Sequence, residues 1–213
     1  MRKLNASFQS PSAQRLLRIS ANLVGAASAA VFSYTFLHFY VQTHRLIGIV
    51  FFGQQTLVAL VYLIRRPARL ASRRLDDWLL AFGGTFAGVL FRPEGRHPAW
   101  GIHAGLVLQL LGAAIVVASL LTLGRSFGFA AADRGVVVRG PYAVVRHPMY
   151  GSYLLLQSGY LVQSLSVRNG AVLLFGSLCN AGRALAEERV LARNREYAAY
   201  RGHVRWRMIP GVW

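Results

Sequence analysis

The most unusual charged residues of this sequence lie where an apolar segment becomes polar. Residues 171–182 are uncharged, and Arg183, Glu187 and Glu188 follow them without a helix-breaking residue. One continuous helix would place Arg183 and Glu187 a turn apart on the same face. Ionisable side chains at a membrane boundary are costly and usually face a polar cavity that holds a partner. The pair indicates a polar site, and the alternative is an arginine that extends its charged end to the membrane surface.

A second group of polar and aromatic residues comes earlier, in the order Arg146-His147-Pro148-Met149-Tyr150, shortly after the turn-forming Gly140-Pro141-Tyr142. Proline is favoured in the first turn of a helix, so a helix is expected to begin here with His147 near its N-cap. Tyr150 would lie one turn further along. Free N–H groups at such a helix terminus favour anions. The alternative is a membrane-surface belt of histidine and tyrosine.

The segments that must position these residues are long and apolar. Residues 19–44, 46–64 and 97–124 carry no charge over 26, 19 and 28 residues, and a transmembrane helix needs about 20. Each run therefore predicts a transmembrane helix. The uncharged run 78–91 is shorter and contains Gly84-x-x-x-Gly88, a pattern that permits close helix contact. It is interpreted as a short span, a re-entrant helix or a buried helix.

The last apolar region predicts a tight helical hairpin, because Arg168 and Asn169 interrupt it between residues 147–167 and residues 169–182. Near the N-terminus, Ala27-Ser28-Ala29 resembles a signal-peptide cleavage site. The uncharged run continues well past it, so a retained membrane anchor is expected instead.

The charge distribution predicts the orientation in the membrane. Of the 24 Lys and Arg residues, six crossings with both ends inside leave only four on the outside, namely Arg45, Arg92, Arg96 and Arg168. Cytoplasmic loops carry an excess of such residues. We therefore expect an integral multi-pass protein of a bacterial inner membrane with both termini cytoplasmic, and four or five crossings as the alternative.

The composition excludes several classes of protein. The chain is 54% hydrophobic and 15% charged, with a net charge of +17 and a mean hydropathy of +0.39, whereas soluble domains carry about 25% charged residues. Disorder is excluded and an ordinary soluble enzyme is disfavoured. The cations flank apolar runs rather than forming a basic polar module, so no nucleic-acid partner is expected. A single cysteine, Cys179, excludes an internal disulfide framework and a multi-cysteine metal site, and no metal is predicted.

Residues 121–213 resemble the isoprenylcysteine carboxyl methyltransferase family, which is part of a wider group that includes phospholipid N-methyltransferases. The resemblance rests on Gly140-Pro141-Tyr142, on the motif from Arg146 to Tyr150, on Arg183 with Glu187-Glu188, and on Tyr197, Tyr200 and the closing Ile209-Pro210-Gly211.

The resemblance implies an all-α integral membrane protein with about five to six transmembrane helices, including a C-terminal hairpin, and a cytoplasmic cofactor site. Residues 1–213 would form one methyltransferase domain, with transmembrane helices in 1–120 and the cofactor-binding and catalytic region in 121–213. The cofactor would be S-adenosyl-L-methionine, the product S-adenosyl-L-homocysteine, and the partners membrane lipids and a lipidic methyl acceptor.

By resemblance, the cofactor site comprises Arg134, Val136, Val137, Tyr142, His147, Pro148, Met149, Tyr150 and Glu187. Glu187 would meet the amino group of the cofactor and Arg183 would face the methyl acceptor, so these two are the predicted catalytic residues. The sequence departs from the family pattern in two places. Ser152 stands where the family commonly has glycine, with Gly151 one residue earlier, and the stretch 188–197 is about two residues shorter than in the eukaryotic enzymes.

Three other functions compete with carboxyl methylation of a prenylated cysteine or a similar lipid acid. The first is N-methylation of a phospholipid-type amine, which would favour carboxylates over arginine at the acceptor. The second is an NADPH-dependent sterol-type membrane reductase, which would need more cations than Arg134, Arg139 and Arg146. The third is a scaffold or transporter, for which the interrupted helix pairs of transporters are missing from the sequence.

Overall fold

The computed structural model describes residues 11–213 and is a bundle of helices. Arg2 and Lys3, which contribute to the predicted charge asymmetry, lie outside the described residues. The helices are α1 (Pro11–Thr43), α2 (Leu46–Ile64), α3 (Leu75–Phe86), α4 (Ala99–Leu123), α5 (Pro148–Gln163), α6 (Val167–Leu191) and α7 (Arg195–His203). Two short strands, β1 (Leu70–Ala71) and β2 (Ala132–Asp133), pair in antiparallel fashion.

Within the described residues, three segments are long and apolar enough to cross a membrane: Arg18–Thr43, Leu46–Ile64 and Ala99–Ser126. They correspond to the three longest uncharged runs, so the prediction of apolar helices there is confirmed. Their outward faces carry exposed aliphatic side chains, such as Val24, Leu60 and Leu111. Apolar exposure on this scale is typical of a surface covered by lipid.

The short helix α3 runs from one end of the bundle to the other. The loops 65–74 and 124–147 lie at one end of the bundle, which we call the loop-rich end. α3 begins at this end, just after β1. A 3₁₀ turn, Ala87–Leu90, extends α3 to a total of about 26 Å. Beyond it, Arg96 pairs with Leu165 at the opposite end. The segment therefore does not turn back as a re-entrant helix would.

The C-terminal hairpin is present, but its turn lies earlier than predicted. α5 ends at Gln163 and α6 begins at Val167, with Ser166 accepting a hydrogen bond from the N–H of Asn169 as the N-cap. Arg168 and Asn169 thus belong to the first turn of α6. The fully buried Asn169 amide donates to the carbonyls of Arg92 and Ser164, so it secures the end of the bundle rather than interrupting a helix.

α4 and α5 pack backbone against backbone. A Cβ atom built on Gly105 would lie 2.4 Å from the carbonyl oxygen of Gly159, and one built on Gly159 would lie 2.6 Å from that of Gly105. Small residues at both positions let the two helices approach closely, as in other membrane bundles. This contact aligns the start of α5 with the end of α4 at the loop-rich end.

α3 and α6 are joined by an ion pair between a buried aspartate and a half-exposed arginine. Asp77 is 2% exposed, and its Oδ1 lies 3.2 Å from Nη1 of Arg189. Ser72, just before α3, donates its hydroxyl proton to the same carboxylate. These two partners of the Asp77 carboxylate hold α3 against the polar half of α6.

Candidate active site

A cavity of about 1500 Å³ lies between the α1–α2 pair and the helices α3, α5 and α6. Phe32 of α1 and Phe86 of α3 approach each other at its wall, with ring centroids 6.0 Å apart. Sites for a single small molecule usually measure about 300–1,000 Å³. This cavity therefore has room for more than one ligand, and it extends from the loop-rich end along the apolar helices.

Glu187 presents a carboxylate to this cavity. Its Oε2 lies 3.5 Å from Nδ1 of His147, and its Oε1 accepts a hydrogen bond from the hydroxyl of Tyr150. The rings of His147 and Tyr150 stack with centroids 5.7 Å apart. The Glu187 side chain is 25% exposed and lines the cavity, so its carboxylate is held in place yet accessible to a ligand.

The neighbouring Glu188 is closed off. Its Oε1 lies 3.0 Å from Nη1 of Arg146 and 3.4 Å from Nε2 of His147, and its Oε2 lies 3.1 Å from Nε of Arg207. The side chain is only 8% exposed. Arg146, His147, Glu188 and Arg207 together form what we call the Glu188 clasp, and they leave this carboxylate no room for a ligand.

The clasp fastens the C-terminal segment to the start of α5. The N–H groups of Arg146 and His147 donate to the carbonyls of Trp206 and Arg207 over 2.9 and 2.7 Å. A Cβ atom on Gly151 would lie 2.5 Å from the carbonyl oxygen of Met208. The glycine needed for this close approach is therefore Gly151, and Ser152, which is buried and bonded to the carbonyl of Met149, tolerates a side chain.

The electrostatics of His147 and Glu188 are coupled. Burial alone lowers the pKa of His147, but its hydrogen bonds to Glu187 and Glu188 outweigh burial and raise the pKa above its ordinary value. Burial alone raises the pKa of Glu188, but hydrogen bonding to His147 and the charges of His147 and Arg146 lower it to about 2. Glu188 is therefore ionised at neutral pH, and His147 is shifted toward its protonated form.

Arg183 is buried beside Glu187 and lines the cavity. Its Nη1 donates to the hydroxyl of Thr85 over 3.1 Å and to Oδ1 of Asn180 over 3.4 Å, and its Nη2 donates to the carbonyl of Phe129 over 2.9 Å. Its guanidinium carbon lies 4.8 Å from the centroid of the Tyr150 ring. A guanidinium has five N–H groups, and within residues 11–213 no acceptor is present for Nε–H and one Nη2–H. The guanidinium of Arg183 is therefore held in one orientation and keeps two N–H groups for a ligand.

Most of the predicted cofactor residues line the same cavity, including Arg134, Val137, Tyr142, His147, Met149, Tyr150 and Glu187. Val136 instead packs against Tyr197, Tyr200 and Val204. Pro148 is buried as the first residue of α5 and does not belong to the cavity wall. These two positions shape the backbone of the site rather than its surface.

The loop 128–137 brings a further cation to the cavity. Arg134 is half-buried, and burial, with the nearby charge of Arg65, lowers its pKa to about 10, so it stays charged at neutral pH. Its Nε is buried and has no hydrogen-bond partner among the described residues. Gly128 leaves the space for the Arg134 guanidinium, since a Cβ atom there would lie 2.2 Å from Nη1.

Sequence reasoning missed Thr85 and Phe129, which orient Arg183, and Tyr153, which completes the aromatic wall beside Tyr150. Thr85 lies 98 residues from Arg183 in the chain, and no local pattern reports a contact of that range. Tyr153 lies one turn after Tyr150 on α5, so helical spacing was the signal that could have found it.

Part of the chain is similar to a family of known proteins. Residues 100–197 match the family model of phospholipid methyltransferases. No curated protein matches the chain. The matched region contains α4 except its first residue, the loop 128–137, the α5–α6 hairpin and all of the predicted site residues. It also contains residues 121–197 of the segment on which the sequence resemblance rests. The match covers 98 of the 213 residues, and over this segment the chain is similar to the family group that includes the isoprenylcysteine carboxyl methyltransferases.

Proposed function

We propose that this protein is an S-adenosylmethionine-dependent methyltransferase that methylates the carboxylate of a lipid acid, such as a prenylated cysteine. The observation that carries the proposal is the arrangement around Tyr150. Glu187, an accessible carboxylate, accepts a hydrogen bond from the hydroxyl of Tyr150, and Arg183, an arginine with two unused N–H groups, lies against the ring of the same tyrosine in one cavity. Glu187 suits a cationic group of a ligand, and Arg183 suits an anionic one.

The residues present fit the cofactor. Glu187 offers an acceptor to an ammonium group, and the unpartnered Nε of Arg134 offers a donor to the oxygen atoms of a nucleoside or an amino-acid carboxylate. Tyr142 and Met149 supply apolar wall. When bound, S-adenosylmethionine supplies a methyl group on a positively charged sulfur. His147 and Tyr150 would keep Glu187 ionised and correctly oriented for that ligand.

Arg183 would hold the acceptor. A carboxylate accepts a paired hydrogen bond from two N–H groups of one guanidinium, and Thr85 and Phe129 already fix the plane of this guanidinium. A carboxylate is ionised at neutral pH, so no general base is needed to make it nucleophilic. Positioning the two reactants in line then provides most of the catalysis. The apolar part of the cavity, between α1 and α3, would take the lipid chain.

Methylation of an amine headgroup is the second candidate, favoured by the description of the matching family as phospholipid methyltransferases. The cation at the acceptor position disfavours it, because a guanidinium in contact with an amine acceptor opposes the positive charge that the product gains.

The test is substitution of Arg183. We expect Arg183→Ala to lower methyl transfer to a prenylated cysteine acceptor about 100-fold, with the affinity for S-adenosylhomocysteine little changed. Arg183→Lys should restore little, since an ammonium lacks the planar pair of donors. Exposed Arg193 provides the control, and Arg193→Ala should behave as wild type. Retained cofactor affinity shows that the variants fold. Near-normal turnover by Arg183→Ala, or selective methylation of phosphatidylethanolamine by the wild type, would overturn the acidic acceptor.

A further inference from the structure

The apolar part of the cavity contains a group of amides that the proposed chemistry does not use. Among the residues that the structure describes, five glutamines from three different helices line it: Gln54, Gln55, Gln109, Gln157 and Gln163. Gln54 lies on α2, Gln109 on α4 and Gln157 on α5. Convergence of amides from three apolar helices on one cavity is the arrangement of a polar binding site in a bundle.

Two of these amides are buried without partners. Gln54 is 7% exposed and Gln109 is 4% exposed, and within residues 11–213 the carbonyl oxygen of each has no hydrogen-bond donor. A buried unpaired carbonyl costs about 1–3 kcal/mol, and in a membrane no bulk water offsets the cost. A ligand that donates a hydrogen bond at this level would remove the penalty for one of these carbonyls.

The neighbours of Gln157 and Gln109 show how far these amides lie from Arg183 and Tyr150 along the helices. A Cβ atom on Gly176 would lie 2.7 Å from Oε1 of Gln157, and Gly176 precedes Arg183 by two helical turns, or about 10 Å. A Cβ atom on Gly159 would lie 2.8 Å from Cγ of Gln109, and Gly159 follows Tyr150 by about 13 Å along α5. Gln109 and Gln157 therefore lie about 10–13 Å from the level of Arg183 and Tyr150.

We propose that Gln54, Gln109 and Gln157, the amide cluster, form a subsite for a hydroxyl group on the chain of the acceptor lipid, about 10–13 Å from the carboxylate that is methylated. This inference rests on the proposed function only for the position of the carboxylate. A hydroxyl group both donates and accepts, so it satisfies an amide in either orientation of its oxygen and nitrogen. A purely hydrocarbon chain would leave the two carbonyls unpaired.

The test compares stearic acid with the stearic acid that carries a hydroxyl group on its tenth carbon. Each is titrated calorimetrically into the protein in lipid nanodiscs. We expect the hydroxy acid to bind about five- to tenfold more tightly to the wild type, the gain of about one hydrogen bond. Gln54→Leu and Gln109→Leu should abolish the difference. Exposed Gln42 of α1 lies outside the cavity, and Gln42→Leu should retain the preference.

The outcomes separate the subsite from the proposed function. Equal affinity of the wild type for the two acids, or a preference that survives both leucine substitutions, overturns the subsite and is the result expected if the amides only hold water. Methyl transfer is measured separately on the same samples. A hydroxyl preference without methylation of either acid would leave the subsite in place and count against carboxyl methylation.

Discussion

Glu187 and Glu188 are adjacent residues with different surroundings. Glu187 meets the cavity beside His147 and Tyr150, whereas Glu188 is enclosed by Arg146, His147 and Arg207. Adjacent positions on a helix are about 100° apart around its axis, so one carboxylate faces the ligand space and the other faces the C-terminal segment. His147 contacts both and links the two.

The Glu188 clasp makes folding stability depend on pH. Glutamate in an unfolded chain has a pKa of about 4.3, and the pKa of Glu188 is about 2 in the folded protein. Its ionised form therefore stabilises the fold above about pH 4.3, and this contribution is lost as the pH falls toward 2. His147, whose pKa is raised, contributes fully below about pH 6.5 and loses its contribution as the pH rises through its folded pKa.

We expect Glu188→Gln to destabilise the protein by about 3–5 kcal/mol at neutral pH, because three cationic partners lose their buried counterion. Its melting temperature should also fall less steeply below pH 4.3 than that of the wild type. Thermal unfolding in detergent across this pH range measures both effects. Exposed Glu196 is the matched control, and equal melting temperatures for Glu188→Gln and Glu196→Gln would show that the clasp does not stabilise the fold.

At the scale of elements, the site depends on the close contact of α4 with α5. Gly105 and Gly159 face each other with backbone against backbone, and the neighbouring Gln109 and Gln163 side chains fill the remaining space. α5 carries Tyr150 and Tyr153 at its other end. A change in the distance between these helices would therefore shift the aromatic wall of the site.

Gly105→Ala and Gly159→Ala should each destabilise the protein by about 1–3 kcal/mol, because the added methyl group meets a carbonyl oxygen that cannot move alone. Gly53 of α2 has open space around its Cβ position, and Gly53→Ala should be neutral or slightly stabilising. Thermal unfolding of the three variants gives the comparison. Equal melting temperatures for Gly105→Ala, Gly159→Ala and Gly53→Ala would contradict a close contact between the backbones of α4 and α5.

The elements also show how far sequence reasoning extends. The uncharged run 46–64 coincides with α2, since charge at the flanks bounds an apolar helix. The sequence predicts the hairpin but wrongly places Asn169 in its turn, because the buried amide of Asn169 bonds to Arg92 and Ser164 and local patterning does not report these contacts. In the Glu188 clasp, His147 and Glu188 are 41 positions apart in the chain, so only the fold reveals their contact.

At the scale of the molecule, the chain has a membrane-sized apolar belt and a polar site at one end. The loop-rich end carries Arg65, Arg125 and Arg134, and the opposite end carries Arg92, Arg96 and Arg168. The predicted orientation has the loop-rich end in the cytoplasm, where a water-soluble cofactor would reach the cavity while a lipid enters between helices.

We therefore expect the C-terminus to be cytoplasmic. Fusion of alkaline phosphatase after Trp213 should give an inactive reporter, and fusion of green fluorescent protein at the same position should fluoresce. The same pair of reporters after Arg96, at the opposite end, should give the reverse result. Active phosphatase after Trp213 would contradict this orientation, because the C-terminus and the site would then lie on the side opposite to the cytoplasm.

The central claim is that Glu187 and its neighbours bind S-adenosylmethionine, and titration of the purified wild type and Glu187→Gln with S-adenosylhomocysteine tests it most directly. We expect the wild type to bind and Glu187→Gln to bind at least 10-fold more weakly, because a charge-assisted hydrogen bond contributes about 1.5–3 kcal/mol. Exposed Glu196 serves again as the control, with unchanged affinity in Glu196→Gln. Absence of binding by the wild type, equal affinity in Glu187→Gln, or tight binding of NADPH instead would contradict the account.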